Sequence, residues 1–219
     1  KLSIVNSFLR ISFSSSAEAF LTSSGESRYF IFAANFGFSR GDDPEDVLEN
    51  YRRAAKAMVS NVEQLVCSDQ THTTNIRIVT KEDGGKGVVR KKDYSDIDGL
   101  ITNVPGVVLC TFYADCVPLF LVDPVNKAIG LSHSGWRGTV ARMGKVTLEA
   151  MKREYGTNPE NVIAAIGPSI CGDCYEIGEE VADEFIKAFS GKESIILKRK
   201  ENGKYLLDLW KANELVLTE

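Results

Sequence analysis

Histidine is nearly missing from this sequence: His72 and His133 are the only two in 219 residues. Imidazole chemistry, whether base catalysis or metal binding, therefore has two addresses at most. Also missing is any run of about 18 apolar residues, the length a membrane-spanning helix needs. The longest apolar runs, 29–34 and 117–122, are far shorter, and Pro118 interrupts the second. No basic stripe breaks the interspersed lysines and acids, and the net charge is −4. A nucleic-acid partner is therefore not expected, nor a membrane, and an anionic substrate has to be held by local cations. No internal repeat, low-complexity linker or secretory leader is visible. The cysteines are odd in number (Cys67, Cys110, Cys116, Cys171 and Cys174), in a chain too long to need a disulfide framework. They read as the reduced thiols of a cytoplasmic protein.

What is present suits one ordinary globular unit, long enough to bury roughly 70% of its unfolded surface, and we take residues 1–219 as a single catalytic domain. The chain starts at Lys1, and the apolar pattern of 210–219 stops within a helix, so both ends are expected to be incomplete. Branched apolar stretches at 107–112, 117–122, 128–132 and 162–166 read as buried strands, with further strands at 29–33, 77–79 and 205–207 and an alternating segment through Phe8, Ile11 and Phe13. Helical spacing predicts helices over 45–65, 139–155, 177–189 and from 210 onward. Residues 81–87 read as a mobile, charged, glycine-rich loop, and 81–92 as a solvated loop rather than a lid. Strands and helices alternate only in part, which predicts a mixed sheet with helices outside it, an α/β fold.

Chemistry concentrates in three segments. Asp69-Gln70-Thr71-His72-Thr73-Thr74-Asn75 is polar and follows the first long helix. Ala114-Asp115-Cys116-Val117-Pro118 separates two buried strands. Ser132-His133-Ser134-Gly135-Trp136-Arg137-Gly138 lies where a strand gives way to a helix. Singly, each has an ordinary explanation: a surface or hydrogen-bonded histidine, a small buried thiol, glycines at a turn. Together, two imidazoles and a thiolate at strand ends suit zinc and leave a fourth coordination position open, which is what catalysis at a metal needs. The same residues admit a cysteine hydrolase or amidase, with Cys116 as nucleophile, His133 as base and Asp115 orienting the histidine. They also admit a non-enzymatic protein with a closed, structural zinc. Cys171-Gly172-Asp173-Cys174 has CxxC spacing; such a pair alone is weak evidence for redox or zinc chemistry, and packing of both thiols near a helix start is the preferred reading.

The strings DQTHTTN, DGLITNVPGVVLCTFYADCVPLFLVDP, GLSHSGWRGTVARM and AAIGPSICGDCYEIGEEV closely resemble the YfiH family, formerly described as laccase-domain proteins or multicopper polyphenol oxidases. The likeness runs from about Asn35 onward. It implies a four-layer α/β/β/α sandwich and a zinc-dependent purine nucleoside phosphorylase of broad substrate use, acting on adenosine, inosine and methylthioadenosine, with adenosine deamination as a further activity. It also implies His72, Cys116 and His133 as metal ligands, Asp115 as an acidic site residue, and Arg137 as an anion-binding or pocket-shaping residue. Asn75, in the first motif, is a second candidate for substrate contact. The catalytic candidates are thus Asp115, Cys116, His133 and Arg137; the partners are a nucleoside and phosphate. The chain departs from the family pattern at 13–25, which lacks a threonine-arginine-glycine-glycine stretch, and beyond its last residue, where relatives continue. Copper is the less favoured metal, because a multicopper cluster needs more than two histidines.

Overall fold

The computed structural model describes residues 3–6, 17–22 and 28–219, with side chains from residue 34. The alternation expected through Phe8, Ile11 and Phe13, and much of the divergent 13–25 stretch, lie outside the described residues. In chain order the elements begin with β1 (Ser3–Asn6), β2 (Ala17–Thr22), β3 (Arg28–Ala33), α1 (Pro44–Ala57), β4 (Leu65–Cys67) and β5 (Ile76–Ile78). Then follow β6 (Gly99–Thr102), β7 (Val108–Tyr113), β8 (Val117–Asp123), β9 (Ala128–Ser134), α2 (Trp136–Val140), α3 (Met143–Tyr155) and β10 (Ile163–Ile166). The chain continues through β11 (Glu176–Ile177), α4 (Glu179–Ala188), α5 (Glu193–Ile196), β12 (Leu197–Arg199), β13 (Tyr205–Leu207) and α6 (Leu209–Leu217). Among the described residues no helix is long and apolar enough to cross a membrane.

The strands form a six-stranded sheet in the order β1-β10-β8-β9-β6-β5, a four-stranded sheet β3-β2-β7-β4 and a small sheet β11-β13-β12. Parallel pairs (β1 with β10, β5 with β6, β4 with β7) mix with antiparallel ones, so this is a mixed α/β fold. Among the described residues, three apolar clusters hold it together. One joins α3, α4 and α6 to the six-stranded sheet through Met151, Phe185, Ala212 and Leu119. A second lies between the two large sheets, with Leu109, Tyr113, Phe120, Ile129 and Leu131. The third seats α1 on the four-stranded sheet, through Val47, Tyr51, Leu65 and Cys110. Strands covered on both faces have to be apolar almost throughout, and all seven residues of β9 are buried.

Two expected helices end differently. The helix over 45–65 starts as foreseen, with Pro44 in its first turn and the Asp43 carboxylate accepting from Glu45 N at 2.8 Å. It stops at Ala57, because Val59 adopts φ 56. Val59 N then donates to Lys56 O and Ser60 N to Ala55 O, the pair of bonds of a Schellman stop that glycine normally supplies. The apolar spacing runs on to Leu65 because the chain doubles back onto the same cluster, burying Val62 and Leu65. Val59 is 88% exposed, so its side chain gains little from burial while its backbone sits in the left-handed region. Val59→Gly is therefore expected to stabilise the protein by about 1 kcal/mol, seen as a higher urea midpoint; a lower midpoint would refute the strain argument.

The helix expected over 139–155 is instead α2 and α3, separated at Arg142, whose φ is 65. Arg142 fastens that break: it donates to Ala188 O, lies 3.1 Å from the Glu219 carboxylate, and its guanidinium sits 4.1 Å from the Phe189 ring centroid. The segment 81–92 is not a solvated loop. Asp83 and Lys86 are buried, and the Asp83 carboxylate accepts from Lys86 Nζ at 2.8 Å and Arg77 Nη2 at 2.7 Å. Burial alone would raise the Asp83 pKa; the hydrogen bonds from Lys86, Thr80 and Arg77 outweigh it and hold the carboxyl well below the usual range.

Candidate metal centre

Strand register brings the three chemical segments to one place. In the β8–β9 hairpin Pro118 lies opposite His133 and Val117 opposite Ser134, so Cys116, the residue before β8, meets the end of β9. The antiparallel β6–β9 pairing sets Gly99 opposite Ser132, which brings Asp98 beside His133. His72 arrives from the connection between β4 and β5, tied down by an isolated bridge between Asp69 and Ile97. One ligand atom from each of His72, Cys116 and His133 lies within 4.8 Å of the others. Cys116 Sγ is 4.0 Å from His72 Nε2, and the two imidazole rings meet edge to face with centroids 4.9 Å apart. No other group of three such donors occurs among the described residues.

This donor set fits a single zinc-sized ion. Zn–S and Zn–N bonds of about 2.3 and 2.0 Å at tetrahedral angles place ligand atoms roughly 3.3–3.6 Å apart, so separations of 4.0 Å and up to 4.8 Å have to contract by roughly 0.5–1.5 Å. His133 Nδ1 is 2.8 Å from Asp98 Oδ1; that bond fixes the tautomer and leaves Nε2 for a metal. His72 has φ 66, an unfavourable backbone for a side chain of its size. The same carboxylate holds it there: Asp98 accepts from the backbone N–H groups of Thr71 at 3.1 Å, His72 at 3.1 Å and Thr73 at 2.8 Å. Burial opposes charge on Asp98, but the hydrogen bonds from His133, Thr73 and Thr71 win and hold it at about 2.

Burial lowers the His72 pKa, and the charges of His133 and Arg137 lower it further against the opposing pull of Asp98, a shift toward the neutral form that ligates. Burial pushes the Cys116 thiol up to about 11, with Asp115 and Asp98 adding to the effect. A ready thiolate nucleophile is thus not what this pocket makes by itself; a dication among the donors would reverse the sign. Tyr113 forms the inner wall. It is buried, its hydroxyl donates to Ser132 O at 3.0 Å, and its ring centroid is 5.5 Å from that of His133.

Gly135 is part of the cradle. Its φ of −72 suits any residue, yet a Cβ there would lie 2.8 Å from Cys116 Sγ and 3.2 Å from His72 Cδ2. Gly135→Ala is expected to fold normally while its zinc affinity falls roughly 10–100-fold, from an overpacking cost of roughly 1–3 kcal/mol. Competition against a chromogenic chelator measures this; wild-type affinity in the variant would show that the cluster is not the binding site.

The remaining candidates sit around this cluster in different ways. Arg137 is exposed on α2, its guanidinium 4.3 Å from the Trp136 ring centroid, and its charge reaches both His72 and Tyr175. Asp115 is exposed beside Cys116; the carboxylate that orients His133 is Asp98. The Asn75 side chain donates to Asp96 O at 2.9 Å, and its backbone carbonyl accepts from Asp98 and Gly99. Asp98 is the functional residue that sequence reasoning missed. The signal available was an acid placed directly before a short strand with Leu100 and Ile101 at its centre, where a charge is costly unless it is used.

Fold and donor set together define a mixed α/β protein with a candidate three-ligand metal centre. Residues 18–219 match the model of the family described as multi-copper polyphenol oxidoreductase laccase, and the chain belongs to that family. It is 39% identical over 176 residues to a purine nucleoside phosphorylase of Bacteroides thetaiotaomicron, covering 80% of this chain and 65% of that protein. It is 34% identical over 203 residues to adenosine deaminase RL5 of an unknown prokaryotic organism, covering 91% of this chain and 77% of that one. The crystal structure of the Bacillus licheniformis hypothetical protein YfiH superimposes with a TM-score of 0.80 at 31% identity, covering 85% of this chain and 71% of that one. The chain thus spans just under two thirds of the length of the phosphorylase relative.

Proposed function

We propose that this chain carries the active site of a zinc-dependent purine nucleoside phosphorylase of broad substrate use, in a single catalytic domain. The observation that carries the reading is the convergence of His72, Cys116 and His133 within 4.8 Å, in a chain 39% identical to a relative named for that activity. Zinc is favoured over copper by the donor chemistry: two imidazoles and one thiol suit one borderline-soft ion, and two histidines cannot build a multicopper cluster. When bound, the ion supplies a fixed positive charge that polarises an oxygen ligand and favours the Cys116 thiolate.

The chain's own groups supply the rest. Phosphorolysis forms a bond from a phosphate oxygen to the anomeric ribose carbon and breaks that carbon's bond to the purine nitrogen. The products are ribose 1-phosphate and the free base. Arg137, its guanidinium laid on the Trp136 ring, is a preorganised cation for the phosphate oxygens. Asp115, exposed beside Cys116, is the carboxylate we assign to accept a hydrogen bond from the purine base. Asn75, with Nδ2 committed to Asp96 O, offers its Oδ1 to a sugar hydroxyl. The relative named adenosine deaminase covers nearly the whole chain and supports amine hydrolysis as a second activity of the same pocket.

The test is adenosine turnover by metal-loaded protein with and without phosphate, read by chromatography. Adenine release that requires phosphate is expected. Inosine formed equally with and without phosphate would make deamination the main activity. Neither product from zinc-loaded protein would overturn the proposal.

A further inference from the structure

The connection from β10 to β11 carries a feature that nucleoside chemistry does not use. Cys171 and Cys174 stand at the two ends of one turn, closed by a hydrogen bond from Cys174 N to Cys171 O at 3.0 Å. Such a turn keeps its end Cα atoms within about 7 Å, inside or close to the range a disulfide bridges. Both side chains face the same way, with Sγ atoms 3.0 Å apart, about 1 Å from bonding distance. The turn is anchored on both sides. Gly172 packs so closely on Asp208 that an added Cβ would lie 2.9 Å from Asp208 Cβ, and Leu207 N donates to Tyr175 O at 3.0 Å. Closing the last ångström therefore asks for side-chain rotation, not backbone movement.

We propose that Cys171 and Cys174 form a redox-active dithiol that closes reversibly to an intramolecular disulfide at the rim of the metal centre. The rim position follows from Ile170, whose N–H donates to Asp115 O at 3.1 Å, linking this turn to the loop that bears Asp115 and Cys116. A soft-metal site is the lesser fit: no third histidine, cysteine or carboxylate joins the pair in a ligand cluster among the described residues. Accessibility selects this pair over Cys67 and Cys110, which are buried, whereas Cys174 is exposed and Cys171 half-buried; Cys116 is also half-buried, but its sulfur belongs to the ligand cluster with His72 and His133. The side-chain contact with Cys174, supported by the backbone N–H groups of Asp173 and Cys174, lowers the Cys171 thiol from its ordinary value, which favours Cys171 as the attacking sulfur.

The oxidant class is a low-molecular-weight disulfide. The Cys171 thiolate attacks one of its sulfurs, forming a mixed disulfide and expelling one thiolate. Cys174, losing its proton, then attacks the Cys171 sulfur, forming the intramolecular S–S bond and expelling the second thiol. The two protein thiols lose two electrons and two protons, and the oxidant leaves as two thiols.

The experiment exposes the wild-type protein, with its metal, to oxidised glutathione and then counts thiols after denaturation and maps the peptides by mass spectrometry. Two of the five thiols are expected to disappear into a Cys171–Cys174 link and to return with dithiothreitol. In Cys174→Ser the glutathione is expected to stay attached to Cys171; in Cys171→Ser no such link forms. Five intact thiols under oxidising conditions, a link between other cysteines, or an unmodified Cys171 in Cys174→Ser would each overturn the proposal. The readout is sulfur chemistry alone, so its outcome is independent of the nucleoside reading.

Discussion

Replacing Cys116 by alanine is expected to cut zinc affinity by roughly 100-fold or more and to take nucleoside turnover down with it. A closed four-ligand zinc site is worth about 10–16 kcal/mol, or about 3 kcal/mol per ligand, which is roughly two decades in affinity. Purified wild type should hold about one ion per chain, as an open three-ligand site does, and the variant close to none. The protein should still fold. Cys116 is only half-buried at the end of a loop, and the hairpin that follows it is fixed by Leu119, Phe120 and Leu121 inside two apolar clusters. Elemental analysis of both proteins, with chelator-treated wild type as the reference for metal loss, decides the matter. A Cys116→Ala protein that keeps its zinc and its turnover would remove Cys116 from the site and the site from the mechanism.

Asp98→Asn ranks second in expected effect, although Asp98 is fully buried. Its two oxygens serve five donors: three backbone N–H groups at Thr71, His72 and Thr73, the Thr73 hydroxyl at 3.0 Å and His133 Nδ1 at 2.8 Å. An amide turns one of those acceptors into a donor facing donors. One consequence is stability, with a loss of about 3 kcal/mol for charged hydrogen bonds broken in a buried place. The other is positional: His133 loses the partner that fixes its tautomer, and the left-handed His72 backbone loses the anion that holds it. Changes to partners of this kind cost roughly 10–100-fold in metal affinity. Urea unfolding of the metal-free protein and zinc competition separate the two effects. Wild-type zinc affinity in Asp98→Asn would assign the carboxylate a purely structural role.

These two residues also mark how far the sequence could be read. Cys116 was legible because a polar Ala-Asp-Cys interrupts two apolar strands, and the two histidines because they are so few. Strand positions over 108–134 were legible too, since elements covered on both faces must be apolar along their length. Helix ends were not. Val59 and Arg142 adopt left-handed backbones without the glycine that usually announces them, so the apolar periodicity ran through both breaks. The segment 81–92 reads as solvated because composition cannot show that Lys86 and Arg77 pair with Asp83 and Asp93 around a buried carboxylate.

By itself, then, the sequence determined which groups can do chemistry, two imidazoles and five thiols, together with a net charge of −4 and the mixed α/β class. Only the tertiary structure decided that these donors meet. Their convergence depends on strand register, on Pro118 opposite His133 and Gly99 opposite Ser132, and a one-residue slip would turn each side chain to the other face. Tertiary structure likewise chose Asp98 over Asp115 as the partner of His133 and turned Cys171 toward Cys174. Hydrogen bonds and sulfur contacts act over about 3 Å, a scale that residue spacing along the chain does not carry.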